Sequence, residues 1–379
     1  MSFPFEQFIQ LAKSESKSED YIKECISYAI SLSEKSLPVI FSLEHLAITI
    51  GIQSKYLRDL LGESKNGINY NHEHKYSRYN YFKLNKRRGG FREIMSPSKD
   101  LKFIQKWILV NILSKYPLAL SCNGFVENKS IFDNAKVHEK SDIILKIDLL
   151  KFYDTITEKR VYGVFKSLGY INNLAYTFAK ITTAKHRDSY WLGFNDDSKT
   201  ILKNLVQVKP PILPQGAPTS PMLANIVATR MDYRFEGLAR KMNFNYSRYA
   251  DDLTFSSNSS SQLPSLSTIK NIIEEEGFFI NKEKIKYMKK GAKQYVTGLS
   301  TTNGINVSKR YRKNISEHIY YCRKFGVNSH LAARKEEFPN FNPIKFHNWL
   351  YGHICFINSI NKKASKILLE DFNKIDWFL

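Results

Sequence analysis

The sequence predicts an α+β fold with a helical N-terminal region, and three observations lead there. Apolar residues recur at helical spacing toward both ends of the chain, strand-forming runs in the middle carry aspartates, and a surplus of Lys and Arg runs through both. The two mid-chain runs are Ile143-Ile144-Leu145-Lys146-Ile147-Asp148-Leu149 and Ser247-Arg248-Tyr249-Ala250-Asp251-Asp252-Leu253-Thr254-Phe255-Ser256. The first reads as a buried strand with its only acid near the C-terminal end. The second reads as a hairpin that presents Asp251 and Asp252 where its two halves meet.

The chain has 379 residues, enough for a large core divided among two or three subdomains. Its 57 Lys and Arg against 36 Asp and Glu give a net charge of +21, which points to a polyanionic partner. With no transmembrane run, signal peptide or basic amphipathic anchor, nucleic acid is favoured over a membrane. The 22 Tyr and 25 Phe are often interleaved with Lys and Arg in ways that suit base stacking, although most belong to the core. Cys25, Cys122, Cys322 and Cys355 lack CxxC spacing, so neither a zinc site nor a disulfide framework is indicated and a reducing cytoplasm fits.

In chain order, residues 1–75 read as helices separated by the polar tract 13–20. Residues 42–61 have a helix, Gly51 turn, helix pattern; a packing unit is favoured there over a DNA-reading module. Residues 79–97 read as a basic β-hairpin turning at Arg88-Gly89-Gly90, and residues 101–116 as an amphipathic helix. A helical stretch 159–183 leads to 185–211, where Asp196-Asp197 reads as a solvated loop tip. Pro214-Gln215-Gly216 forms a tight turn ahead of a helix capped by Thr219-Ser220-Pro221, and the helix 267–276 ends at Gly277. A densely basic tract, 281–313, precedes helices at 308–325 and 343–376.

Two adjacent carboxylates repel, and a divalent cation bound by hard oxygen ligands relieves the repulsion. An Asp-Asp pair by itself is more often a solvated turn. If the Asp148 strand pairs beside the hairpin, however, three carboxylates converge. Such a set on two metal ions can align a 3′-hydroxyl with a nucleotide α-phosphate, the chemistry of a polymerase. A basic chromatin-type binder would share the charge without needing the ordered acids.

Tyr249-Ala250-Asp251-Asp252 resembles the signature box of reverse transcriptases, and further segments resemble the family's motifs in the same order. Lys86-Arg87-Arg88-Gly89-Gly90-Phe91-Arg92 is similar to the fingers motif, which implies that Arg92 contacts the incoming triphosphate. Leu213-Pro214-Gln215-Gly216 resembles the nucleotide-pocket and template-grip motif, which assigns Gln215 there. Gly277-Phe278-Phe279-Ile280-Asn281 with Lys284 resembles the motif whose lysine lies near the leaving pyrophosphate. Tyr153, five residues after Asp148, matches the aromatic that lies under the sugar and excludes a 2′-hydroxyl, with Phe152 as its neighbour. Asn134-Ala135-Lys136-Val137-His138 and Val296-Thr297-Gly298 resemble the paired NAxxH and VTG signatures of retron reverse transcriptases. By that likeness His138 acquires a role in RNA binding. Residues 185–211 stand out as an insertion against the family pattern.

The resemblance implies a right-hand polymerase: a helical region 1–75, fingers 76–140, a palm 141–300 containing the insertion 185–211, and a helical thumb 301–379. It also implies Asp148, Asp251 and Asp252 as ligands of two Mg²⁺ ions, with Lys284 as a further catalytic residue and Arg92, Tyr153 and Gln215 around a deoxynucleoside triphosphate. The implied partners are a cognate structured non-coding RNA, its RNA–DNA product primed from an RNA 2′-hydroxyl, and an effector protein encoded nearby in an anti-phage defence system, with no membrane. The rivals are another defence-associated reverse transcriptase, a group II intron-type reverse transcriptase, for which an endonuclease or DNA-binding tail after Leu379 is expected, and a non-catalytic RNA-binding scaffold.

Overall fold

The computed structural model describes residues 3–61, 78–85, 91–259 and 262–377. The basic turn at Lys86 to Gly90 lies outside the described residues. In chain order the elements begin with α1 (Phe5–Ser14), α2 (Glu19–Glu34), α3 (Leu43–Ile50), α4 (Ser54–Leu61), β1 (Tyr79–Asn85), β2 (Phe91–Pro97), α5 (Lys99–Asn111), α6 (Ile131–Lys136) and β3 (Ile143–Asp148). There follow α7 (Glu158–Leu168), α8 (Asn172–Thr182), α9 (Asp188–Leu192), α10 (Asp196–Ile201), α11 (Lys203–Val208), α12 (Ser220–Met242), β4 (Asn245–Tyr249), β5 (Asp252–Ser257) and α13 (Leu266–Glu275). The last are β6 (Lys286–Lys289), β7 (Tyr295–Val296), β8 (Leu299–Ser300), α14 (Lys309–Phe325), α15 (Val327–Ala333), α16 (Pro343–Ile360) and α17 (Lys362–Phe372).

These elements form two compact units. The first comprises Met1–Phe125, Leu149–Phe235 and Leu266–Asn281. Its helices are joined by side chains that bond to distant backbone: Lys35 Nζ donates to the Leu168 carbonyl at 3.0 Å and the Tyr170 hydroxyl to Pro38 at 3.2 Å. Gln105, fully buried, donates to both the Tyr79 hydroxyl and the Ile181 carbonyl, which ties β1, α5 and α8 together. The Gly51 turn is left-handed as its sequence requires (φ +80°), and α4 buries Leu57, Leu60 and Leu61 with α8 among its neighbours, the mark of a packing unit. The helical stretch 159–183 is two helices, broken because Gly169 adopts φ +113° at the end of α7. The insertion 185–211 contains three short helices, so Asp196-Asp197, expected at a solvated loop tip, is exposed but helical. Asp196 and Asp197 occupy the first turn of α10, where Asn195 caps the helix and negative charge opposes the dipole.

The second unit comprises Val126–Asp148, Glu236–Ser265 and Lys282–Leu379. Its antiparallel sheet has the order β4-β5-β3-β6, so the apolar β3 lies between two neighbours, as its burial demands. The helices α14 to α17 bury Ile319, Cys322, Phe346, Leu350, Ile354 and Leu368 in one core, each large side chain contributing about 1.5–3 kcal/mol. The expected single helix 343–376 is divided at Asn361, whose extended backbone ends α16 and whose side chain accepts from the Ala364 amide to cap α17. Among the described residues no helix is long and apolar enough to cross a membrane.

Candidate active site

The hairpin β4–β5 closes on the pair Tyr249 and Asp252, leaving Ala250 and Asp251 as its two-residue turn. Ala250 has φ +57°, a left-handed conformation that a small side chain tolerates better than a branched one. The buried Arg248 supports the turn, its Nη1 donating to the Ala250 carbonyl at 3.2 Å. On the neighbouring strand Asp148 lies directly opposite Asp252. The strand pairing therefore brings the three sequence-predicted carboxylates to one end of the sheet.

Two lysines accompany them. Lys284 Nζ lies 2.9 Å from Asp148 Oδ2, and Lys146 Nζ lies 2.6 Å from Asp252 Oδ2. Lys146 stands two residues before Asp148, so strand alternation puts it on the same face. Among the described residues Asp251 has no such lysine partner. Burial, followed by the charge of Asp148 and then of Asp252, pushes its carboxyl up to about 6. Burial also raises Asp252, against the opposing pull of Lys146. Three clustered acids with two counter-charges leave a negative surplus on hard oxygen donors, a donor set that fits a divalent cation. Among the described residues no group of three or more acid, His or Cys side chains is gathered into a metal cage.

His138 anchors the sheet behind these acids. Its Nδ1 is 2.7 Å from Ser256 Oγ on β5 and its Nε2 is 2.7 Å from Ser247 Oγ on β4, while Ser141 Oγ also donates to Ser256. The ring is fully buried, and burial together with Lys146 pushes it down to about 3, so it is neutral. A histidine enclosed in this way joins strands; the RNA contact expected of it is not available to its side chain. The NAxxH segment also meets the VTG segment. Thr297 and Gly298, with φ +47° and +83°, turn β7 into β8, and Thr297 Oγ1 donates to the Ile131 carbonyl at 3.1 Å. The two signatures thus form one packed feature.

Arg92, Gln215 and Tyr153 belong to the first unit. Arg92 is exposed on β2, opposite Leu84. The Met95 amide on that strand donates to the Gln215 carbonyl at 2.7 Å, so the strand of Arg92 and the turn of Gln215 are held together. Gly216 is required by this approach: its φ is +121°, and a Cβ there would lie 2.8 Å from the Met95 carbonyl oxygen. Ser220 Oγ donates to Pro214 and fixes the same turn at the start of α12. Phe152 is buried against Phe278, whereas Tyr153 is half-buried, which separates the two aromatics that the sequence left as neighbours.

A sequence profile described as reverse transcriptase (RNA-dependent DNA polymerase) matches residues 84–298. The retron Mx65 reverse transcriptase of Myxococcus xanthus is 32% identical over 314 residues, covering 82% of this chain and 70% of that one. This chain belongs to the retron-type reverse transcriptases. It is also 29% identical to the retron Ec86 reverse transcriptase of Escherichia coli over 364 residues, 95% of this chain and 96% of that one. Among solved structures, telomerase from Candida albicans overlaps with a TM-score of 0.38 at 14% identity, over 78% of this chain and 63%, under two thirds, of that one. The reverse transcriptase is accordingly an RNA-directed DNA polymerase with an α+β polymerase fold. Its family uses divalent metal ions and deoxynucleoside triphosphates. Lys146 belongs to none of the family motifs, and its one signal in the sequence is that it is the only basic residue of the largely apolar strand β3.

Proposed function

We propose that this reverse transcriptase copies a cognate structured non-coding RNA into multicopy single-stranded DNA, with Asp148, Asp251 and Asp252 as its catalytic carboxylates. The observation that carries the reading is the opposition of Asp148 and Asp252 across β3 and β5, with Asp251 beside them and short of counter-charge. Two Mg²⁺ ions on these oxygens would supply activation of the attacking hydroxyl and stabilisation of the leaving pyrophosphate. The protein's own residues bind and orient. Lys284 adds positive charge near the departing phosphates, Arg92 holds the triphosphate from the fingers segment, Gln215 lies against the nucleotide, and Tyr153 closes the space under its sugar.

In this reading residues 76–140, 141–300 and 301–379 act as fingers, palm and thumb. The RNA partner is suggested by the retron relatives and by the net charge of +21, part of it in the basic tract 281–313. Priming from an RNA 2′-hydroxyl, a branched RNA–DNA product, a neighbouring effector protein, a role in anti-phage defence and a cytoplasmic location complete the proposal. To test it, the protein is co-expressed with the transcript encoded beside its gene, and nucleic acid is recovered before and after debranching. A DNA strand joined to RNA through a 2′ linkage, and absent with Asp251→Asn, is expected. DNA with a free 5′ end would overturn the priming step.

A further inference from the structure

The turn that follows β3 is built in a costly way. Lys151 has φ +49° without being glycine, and the Asp154 carboxylate is almost wholly buried, with a side-chain exposure of 1%. Left-handed backbone of this kind costs about 1–3 kcal/mol and persists when neighbours over-determine it. Here the neighbours come from residues 185–211. The Tyr190 hydroxyl donates to Asp154 Oδ1 at 2.7 Å, and the Lys151 ammonium lies 3.7 Å above the centre of the Phe194 ring and 3.9 Å from Asp154 Oδ2. Beneath them Leu150 and Phe279 pack on the buried cluster of Trp191, Phe194, Leu202 and Ile212.

Tyr190 is itself fixed. Its ring stacks on His186 with centroids 4.0 Å apart and meets Trp191 and Phe194 edge-on, so its hydroxyl has little freedom to leave Asp154. Burial and the Asp154 charge raise its pKa, so the group stays a donor. The same segment reaches the strand of Arg92: the Arg187 guanidinium lies 4.8 Å over the Tyr81 ring, and His186 Nδ1 comes within 3.6 Å of Glu93 Oε2. Burial and Lys151 push His186 down to about 4, so a neutral ring faces Glu93 and the approach is not an ion pair at neutral pH. One short helical layer therefore touches both the turn that carries Tyr153 and the hairpin that carries Arg92.

We infer that residues 185–211 are a support that sets the height of the Tyr153 ring, and that Tyr190 is a positioning residue for the choice of deoxyribonucleotides over ribonucleotides. The inference rests on the reading of Tyr153 as the sugar gate. Sugar selection of this kind is steric, so a displacement of the turn by a fraction of an ångström changes it before it changes chemistry at the carboxylates.

The test is single-nucleotide insertion by the full chain on an RNA template, with deoxynucleotide and ribonucleotide compared for wild type, Tyr190→Phe, Asp154→Asn, Lys151→Met and Tyr153→Val. Tyr190→Phe keeps the stacked ring and removes only the donor. It is expected to lower the deoxy-to-ribo ratio of kcat/KM about three- to tenfold, mostly through a lower KM for the ribonucleotide, as for partial relief of a steric clash. Lys151→Met should act in the same direction and serves if Tyr190→Phe fails to fold. Asp154→Asn, which keeps an acceptor for Tyr190 but removes the charge that faces Lys151, should lower the ratio less than Tyr190→Phe does. If Tyr153→Val alters the ratio while Tyr190→Phe and Lys151→Met leave it unchanged, the support is overturned and the gate stands. If Tyr153→Val also leaves it unchanged, the gate itself falls and the support with it.

Discussion

The Lys146 ammonium donates to the Asp252 carboxylate at 2.6 Å across adjacent strands, with the two side chains only 19% and 29% exposed. A lysine in that position lowers the cost of holding Asp252 beside Asp148 without any bound ion, and it would compete for Asp252 with the cation that the proposed function puts on these acids. Lys146→Met should therefore destabilise the metal-free protein by about 1.5–3 kcal/mol, as for a lost bond between charged groups. It should also enlarge the rise in Tm that Mg²⁺ produces. Thermal melts with and without Mg²⁺ check both. An unchanged Mg²⁺ increment would mean that Lys146 and the metal do not share Asp252.

Asp251 differs from its two neighbours in having no lysine at ion-pair distance among the described residues, and burial raises its pKa to about 6 against a weaker pull from Lys284. Its charge is thus an expense to the fold, raised by burial and by Asp148, and the proposed function assigns it the role of a catalytic carboxylate. Asp251→Asn should raise the Tm of the metal-free protein by a few degrees while lowering DNA synthesis by about 10²–10³-fold or more. Melting curves and primer extension on one preparation measure the two together. A variant that lost stability would contradict the electrostatic account of this carboxylate, whatever its activity.

The buried His138 makes stability depend on pH. Its ordinary pKa of 6.5 applies to the unfolded chain, and the folded value is pushed down to about 3. As pH falls below 6.5 the unfolded state takes up a proton that the folded state refuses, so stability decreases across the window from about 6.5 to about 3. His186 and His318, both pushed down to about 4, act in the same sense. His138→Asn should flatten the fall of unfolding free energy between pH 6 and pH 4 by about 1.4 kcal/mol per pH unit. Denaturant unfolding at a series of pH values tests this, and a slope equal to that of wild type would show that His138 is protonated in the native state.

Much of the candidate site is legible because it follows from strand periodicity. An apolar run ending in Asp148 and an aromatic hairpin turning at Asp251 can bring their acids together only if the strands pair, and they do. What is not legible depends on partners far along the chain. His138 looks like a solitary polar residue until Ser256 and Ser247, 118 and 109 positions away, close around its two ring nitrogens. Asp196-Asp197 looks like a loop tip because the helices of the insertion 185–211 are too short to show a clear period, and Trp191 and Phe194 gain meaning only with Leu150 and Phe279 beside them. Lys146 needs the register itself, since only the pairing of Asp148 with Asp252 shows that it faces an acid.

The two aromatics after Asp148 make opposite predictions. Phe152 is 4% exposed and its ring centre lies 5.3 Å from that of Phe278, so it belongs to the core. Phe152→Ala should cost about 3–5 kcal/mol of stability, as for other buried aromatic truncations, with any change in sugar preference secondary to that loss. Tyr153 is only half-buried and meets Phe152 edge-on at 5.6 Å, so its removal opens space at the surface of the turn rather than a cavity beneath it. Tyr153→Val should therefore melt within a few degrees of wild type yet insert ribonucleotides with a kcat/KM about tenfold or more closer to that for deoxynucleotides, as for the relief of a steric clash in a fitted pocket. Melting temperatures and insertion kinetics for both variants separate the roles. If Phe152→Ala relaxed sugar choice at full stability while Tyr153→Val did not, the gate would belong to Phe152.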